Sequence, residues 1–303
     1  MTVIPKITIL IATKNRCNDL QFTLQKIQYL WSDAVSCVVF DDGSTDGTSE
    51  MVQSHFPEIM LFRNDISKGY LYCRNKMLNE TNAEYAISLD DDAHFLTENP
   101  IKIIASYFQE NPSCGLIATR IFWGTEPPLN TINLETNTKV KSFIGCGHVW
   151  RMNAWHDIPN YPEWFEFYGE ENVASLHLFK KKWEVHYVPE LFVQHRVNMA
   201  DRAKSAKNSA FRYRRAIRAD WYTYFMFFPL KTIPRKMTYS LWMQCKNKIF
   251  KGNLKVVFPL LLAIFDLLKS IPKLKANRNA FTMKEYRNYS KLNEAKIYWK
   301  PKN

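Results

Sequence analysis

The sequence has no cysteine pattern. Six cysteines (Cys17, Cys37, Cys73, Cys114, Cys146, Cys245) are spread over 303 residues with no CxxC pair and no short repeat spacing. That excludes a disulfide framework and a cysteine zinc site, and reads as free thiols in a reducing compartment. Long apolar runs are also missing. The longest uncharged one, Val256–Phe265, is about half of the ~20 residues that a spanning helix needs, so no transmembrane helix is expected. The opening segment Met1–Ala12 lacks a basic start and a small-residue cleavage site and is interrupted by Pro5 and Lys6. It reads as a first β-strand, and a cytoplasmic chain is the expectation. With 46% hydrophobic and 23% charged residues, the composition is that of a globular protein, and the length suits one large α/β domain with an appendage or two ordinary domains.

Charge is abundant but unevenly placed. Met1–His195 holds 16 Lys and Arg against 24 Asp and Glu, a net of −8, whereas Arg196–Asn303 holds 25 against 5, a net of +20. Two parts of such opposite sign are not expected to share one job. The basic part contains Arg212-Tyr213-Arg214-Arg215, the aromatic run Trp221–Phe225, and the apolar stretch Ile249–Leu268 with flanking lysines. Amphipathic helices lying on anionic lipid would show this composition. A nucleic-acid surface would too, as would a solvated or oligomer-forming face, but no nucleic-acid motif accompanies it. An anionic membrane surface is therefore the expected partner, with no nucleic acid.

Periodicity organises the first 120 residues into short apolar runs alternating with helical patterns, which signals a mostly parallel sheet with crossover helices. Strands are expected at Ile7–Ile11, Cys37–Phe40, Ile59–Phe62 and Tyr85–Leu89, with helices between them and a helix from Asn99-Pro100 to Glu110. Asn18 or Asp19 is the expected cap of the first helix. From Gly115 the pattern loosens. Phe143–Trp150 and Trp183–Val188 are strand-like, and the chain after Arg196 reads as helices punctuated by proline.

The polar groups collect where strands end, which is where open α/β sheets bind ligands. Asp90-Asp91-Asp92 follows the apolar run Ala86–Leu89, and Asp41-Asp42-Gly43-Ser44 ends an earlier strand. Alone, each is an acidic turn. Together, two carboxylate clusters at the ends of one sheet need a cation or a polar ligand between them. Mg²⁺ or Mn²⁺ suits them, since a hard cation takes carboxylate and phosphate oxygens.

Thr13-Lys14-Asn15-Arg16, Asp41-Asp42-Gly43-Ser44-Thr45-Asp46, Gly69 with Arg74-Asn75, and Asp90-Asp91-Asp92 stand in an order and spacing that resembles family 2 glycosyltransferases. The resemblance covers about residues 7–196. It implies a GT-A fold, Rossmann-like, with a mostly parallel sheet flanked by helices. The expected division is 1–200 for that domain and 201–303 for a basic, amphipathic helical C-terminal region.

The resemblance also implies roles. Asp42 matches the acid that reads the base of the donor nucleotide, and Thr13 and Asn15 lie on the loop lining base and ribose. Arg74 lies near the nucleotide and its diphosphate, and Asp90 faces ribose or sugar. Asp91 is the least defined of the three. Asp92, with His195 in Val193-Gln194-His195, would hold Mn²⁺ or Mg²⁺. Tyr168-Gly169-Glu170-Glu171-Asn172 matches the segment that carries the general base, where the family usually has Glu-Asp. Glu171 is the first candidate and Glu170 the second. A helix N-terminus here would lower the carboxyl's pKa and keep it ionised. The implied reaction is inverting transfer of a sugar from a UDP- or dTDP-sugar to a hydroxyl in cell-surface polysaccharide or lipid-linked glycan synthesis, at the inner face of the plasma membrane. A catalytically impaired nucleotide-sugar-binding protein is the alternative. A nucleotidyltransferase is a weaker one, because Ala12–Arg16 lacks the glycine-rich loop of that class.

Overall fold

The computed structural model describes residues 5–197 and 206–300. Its centre is a nine-stranded sheet. In chain order the strands are β1 (Ile7–Thr13), β2 (Val35–Asp41), β3 (Met60–Arg63), β4 (Tyr85–Asp90), β5 (Ala93–Phe95), β6 (Cys114–Trp123), β7 (Thr138–Val140), β8 (Gly147–Arg151) and β9 (Glu184–His195). The sheet order is β3-β2-β1-β4-β8-β6-β9-β5, with β7 also paired to β9. β1, β2, β3 and β4 are mutually parallel, as are β6 and β9, while β8 runs antiparallel between β4 and β6. This is the expected α/β architecture.

The central parallel strands β1 and β4 are buried on both faces and so read as apolar runs, as Ile7–Ile11 does, whereas the edge strand β3 is partly exposed. One face is covered by α1 (Cys17–Ile27), α2 (Thr48–His55) and α4 (Pro100–Glu110), through Leu20, Leu24, Val52 and Ile104. The other carries α3 (Tyr70–Glu80), α5 (Met152–His156) and α6 (Glu170–Lys180). The first helix is not capped by Asn18 or Asp19. Arg16 stands at its N-cap without a side-chain bond, and Asp46, reaching over from the loop after β2, accepts from the Cys17 N–H at 3.0 Å.

β6 is a correction to the sequence reading, which saw only a loosening pattern there. Its polar Arg120 is buried, with its guanidinium 3.8 Å from the Phe192 ring centre and 4.6 Å from that of Trp299. Thr119 donates to the Gly147 carbonyl at 2.8 Å. Tertiary partners thus satisfy a strand whose own pattern is mixed.

The helical C-terminal region consists of α7 (Ala206–Phe227), α8 (Ile233–Gln244), α9 (Val257–Lys269), α10 (Ile271–Ala276) and α11 (Met283–Ser290). The boundary expected at 200/201 lies outside the described residues. Trp221, Tyr222 and Phe227 are fully buried and belong to the same apolar cluster as Leu10, Ala118 and Trp150 of the sheet. The last described residues return to the sheet at β6, where the Trp299 N–H donates to the Ile121 carbonyl at 2.6 Å. Among the described residues no helix is long and apolar enough to cross a membrane.

Candidate active site

Strand register sets the site. Thr13 at the end of β1 lies beside Asp41 of β2, and its neighbour Ala12 lies beside Asp90 of β4. The two acidic clusters therefore flank one strand end at nearly the same level. The chain turns at Asp91-Asp92 into β5, whose Ala93 pairs with His195 on β9. That antiparallel pairing carries Asp92 to His195. The His195 Nε2 is 3.0 Å from Asp92 Oδ1 and 3.8 Å from Asp90 Oδ2.

Asp90, Asp92 and His195 can each offer one ligand atom, all within 4.8 Å of one another. The metal pair expected from sequence, Asp92 and His195, is thus joined by Asp90. Two carboxylate oxygens and an imidazole nitrogen are a donor set that fits Mn²⁺ or Mg²⁺. Burial works against ionisation of Asp92, but His195 and Arg16 outweigh it and hold the carboxyl below its usual range. Burial would lower the His195 pKa, and the neighbouring Cys146 and Asp92 raise it instead.

The other predicted residues knit the loops together. Asp91 accepts from Thr13 Oγ1 at 2.8 Å and is ion-paired with Arg16, whose Nε lies 2.8 Å away, while Arg16 Nη2 donates to Asp92 at 2.7 Å. Asp91 is therefore buried beneath the β1 loop. Asn15 has φ 52°, a left-handed conformation that asparagine tolerates. Its side chain accepts from the Thr45 N–H at 2.8 Å, tying the β1 loop to the β2 loop.

Asp42 receives four donors: Asn64 Nδ2 at 2.7 Å, Ser67 Oγ at 2.6 Å, and the Lys68 and Gly69 N–H groups at 2.8 and 2.9 Å. Burial opposes ionisation of Asp42, and these bonds outweigh it and lower the carboxyl's pKa. They fill the lone-pair directions of a carboxylate and pin the loop that leads into α3.

Arg74 is buried below Asp90, donating from Nη2 to Asp90 Oδ1 at 2.6 Å and to the Gly145 carbonyl at 2.9 Å. Its guanidinium also lies 4.4 Å from the Tyr70 ring centre, and Tyr70 donates to Glu170 Oε1 at 3.1 Å. A chain of contacts thus runs from the Asp90 cluster through Arg74 and Tyr70 to the N-terminus of α6, where both candidate bases stand. Arg74 Nη1 and Glu170 Oε2 are buried without a hydrogen-bond partner, and orphaned buried polar atoms of this kind mark a place where a ligand would fit. The approach is close. A Cβ on Gly145 would stand 2.8 Å from Glu171 Oε1 and 3.3 Å from the Tyr70 hydroxyl.

The segment before α6 is held in unusual backbone. Glu166, Tyr168 and Gly169 have φ of 65°, 70° and 90°. Strain of this sort clusters at functional sites. The expected lowering of the base's pKa by the helix end does not occur. Burial and the adjacent Glu170 outweigh it, and the Glu171 carboxyl is pushed up to about 8. Burial also raises Glu170. Sequence reasoning missed Arg16, Tyr70 and Gly145 as site residues. Arg16 lay in plain view within Thr13–Arg16, whereas nothing in sequence marks Gly145 apart from its neighbours.

Parallel strands ending in two acidic clusters, a histidine closing on the second, and a carboxylate pair across the cleft define a glycosyltransferase of the GT-A fold. The description Glycosyl transferase family 2 matches residues 8–164, more than half of the chain, and the chain belongs to that family. No curated protein matches it. Among solved structures it is similar to GalNAc-T7 with UDP, GalNAc and Mn²⁺, at 13% identity and a TM-score of 0.57, covering 75% of this chain and 49% of that one. It is also similar to the mannosyltransferase PcManGT from Pyrobaculum calidifontis in complex with GDP-Man and Mn²⁺, at 14% identity and TM-score 0.56, covering 95% and 79%. A third is S. aureus TarS, at 15% and 0.59, covering 90% and 50%. The chain thus spans about half the length of GalNAc-T7 and of TarS.

Proposed function

We propose that the protein transfers a sugar from a UDP- or dTDP-sugar to an acceptor hydroxyl with inversion at the anomeric carbon. The observation that carries this is the chain of contacts that runs from the Asp90, Asp92 and His195 cluster through Arg74 and Tyr70 to Glu170, with Glu171 beside it next to Gly145. Mn²⁺ or Mg²⁺ held by Asp90, Asp92 and His195 would offset charge on the diphosphate leaving group. Glu171 takes the proton of the attacking hydroxyl as the new C–O bond forms and the bond from anomeric carbon to diphosphate oxygen breaks. Arg74 and Arg16 hold Asp90 and Asp92 in position, and Asp42 acts through the loop it pins, which with Thr13 and Asn15 forms the base side of the site. Two of the similar structures carry Mn²⁺ with a nucleotide or nucleotide sugar, in keeping with this reading. The test is nucleotide release from a panel of UDP-, dTDP- and GDP-sugars with Mn²⁺. Release from UDP- or dTDP-sugars is expected, whereas release from GDP-sugars alone would overturn the donor assignment, and binding without release would favour an impaired enzyme.

The acceptor is read as a cell-surface or lipid-linked glycan, reached from an anionic membrane surface. On α9, Phe258, Leu261, Phe265 and Leu268 follow helical spacing and are 68%, 57%, 60% and 59% exposed, beside Lys255, Lys269 and Lys273. An apolar helix face framed by lysine matches lipid chains plus anionic headgroups. Co-sedimentation with phosphatidylglycerol vesicles should be lost at high salt and in Phe258→Asp with Phe265→Asp. Binding indifferent to both would contradict membrane attachment.

A further inference from the structure

The residues that lead into the candidate base follow an unusual course. A short turn, Glu163–Phe165, ends at Glu166, and Glu166, Tyr168 and Gly169 then take φ of 65°, 70° and 90° before α6 starts at Glu170. Two of the three are not glycine, and such backbone persists only where the surroundings over-determine it. The Phe165 carbonyl accepts from the Phe167 N–H at 2.8 Å, and the Gly169 carbonyl from the Val173 N–H at 2.9 Å. Segment 165–169 therefore sets where α6 begins, and with it where Glu170 and Glu171 stand.

What surrounds this segment is one face of α7. Arg212, Arg215, Arg218 and Ala219 are spaced as neighbours on a helix surface, and each meets a residue of the segment. Arg212 Nη1 donates to the Tyr168 hydroxyl at 3.2 Å, and Arg215 donates to the Glu166 carboxylate. Buried Arg218 donates to the Phe165 carbonyl, with its Nη2 3.7 Å from Glu166 Oε2. A Cβ on Gly169 would stand 2.8 Å from that of Ala219, so helix and segment are packed backbone to side chain there. Arg218 is also met from behind. Its Nη1 lies 3.7 Å from Asp266 Oδ2 on α9, and Asp266 accepts from Arg214 Nε and Nη2 at 2.7 and 2.6 Å. A planar guanidinium met on both sides is fixed in a way that a lysine ammonium is not. Further along, α7 and Glu171 border one cavity of about 660 Å³, α7 through Asp220 and Tyr224. Segment 165–169 and α7 both lie past residue 164, where the family match ends.

We propose that α7 clamps this segment and that Arg218 is a positioning residue for Glu171, acting through the Phe165 carbonyl and touching no reacting atom. The inference rests on the functional reading above, since it is as the base that Glu171 must be placed. A shift of about 1 Å in such a group costs on the order of 10²-fold in rate.

The experiment compares the full wild-type chain with Arg218→Ala, Arg218→Lys and, as a control, Trp221→Phe, which removes the bond to Ser240 on α8. Amide deuterium exchange is read across residues 165–175, and the thermal response to UDP with Mn²⁺ reads the donor side. Nucleotide release from the UDP- or dTDP-sugar that the wild type turns over separates kcat from KM. In Arg218→Ala, exchange across the segment should rise while that of β1 and β4 stays as in wild type. Its kcat should fall by ~10–100-fold, with donor KM and the UDP response retained. Arg218→Lys keeps the charge and one donor, and should restore part of both kcat and protection. Trp221→Phe should lower the unfolding midpoint with kcat and segment exchange unchanged. If Arg218→Ala does not fold, Arg218→Lys alone decides, with a smaller loss expected in the same two readouts. Unchanged exchange in the segment, unchanged kcat, or an equal loss of kcat in Trp221→Phe would each overturn the inference. If any of these occurs while the wild type turns over a nucleotide sugar, the positioning inference fails alone. If the wild type turns over none, the functional reading fails and the positioning role fails with it.

Discussion

The strand-end half of the molecule and the helices after residue 206 meet at one cavity, but they are built differently. On the strand side nearly every acid spends its oxygens on the protein itself. Asp41 accepts from the Ser44 N–H and from Ser49, Asp42 from four donors on the loop after β3, and Asp91 accepts from Thr13 and is ion-paired with Arg16. Such bonds hold a site in place before any ligand arrives. On the helical side charges stand open, as with Asp220 facing the cavity and the lysines beside the exposed face of α9. A preorganised strand side and a helical side with unpaired groups suit a family that keeps its chemistry while changing what it acts on.

The sharpest way to separate the two sides is Glu171→Gln. The change keeps the side chain's size and removes its capacity to accept a proton. Transfer should fall by ~10²–10⁴-fold in kcat with nucleotide affinity retained, and Glu170→Gln should cost less. Near-normal turnover in Glu171→Gln beside a crippled Glu170→Gln would move the base one residue back.

Trp221→Ala tests whether the helical side is a separate body. Trp221 is fully buried in the cluster that also holds sheet residues, and its indole N–H donates to Ser240 Oγ at 3.0 Å. Truncation should cost about 3–5 kcal/mol, read as a lower denaturant midpoint in a single transition. An early, separate transition of the C-terminal helices would show that the two regions do not share stability.

The smallest effect concerns pH. Burial lifts Glu171 from 4.5 to about 8, so the folded chain binds more protons than the unfolded chain between those values. Stability from this group therefore falls as pH rises through that window. Glu171→Gln should match wild type below pH ~4.5 and be the more stable protein above pH ~8, measured by denaturant melts across the range. A variant equally less stable at every pH would mean that the carboxyl is not held neutral by its surroundings.

Much of this was legible in sequence where pattern and spacing are local. β4 and its Asp90-Asp91-Asp92 follow from an apolar run ending in acids, and Asn99-Pro100 placed the start of α4. The roles of those acids relative to one another were not legible. Asp90 joins Asp92 and His195 only because β5 pairs antiparallel with β9 more than a hundred residues later in the chain. β6 escaped because Arg120 and Thr119 are satisfied by distant partners, Phe192, Trp299 and Gly147. The rise in the Glu171 pKa was missed for the same reason, since local helix-end logic favours ionisation while burial, a tertiary property, opposes it. The opposite charges of the two parts were plain in composition, yet nothing in composition showed that the basic part packs into the shared core and walls the cavity.

The central claim is that Asp90, Asp92 and His195 grip a cation that in turn holds a nucleoside diphosphate. Thermal unfolding with UDP, with and without Mn²⁺, tests it in wild type and in Asp92→Ala. UDP should stabilise the wild type only when the metal is present, by about 2.7 kcal/mol at a hundred times its dissociation constant, and Asp92→Ala should lose that response. Stabilisation by UDP that needs no metal, or that persists undiminished in Asp92→Ala, would contradict the account.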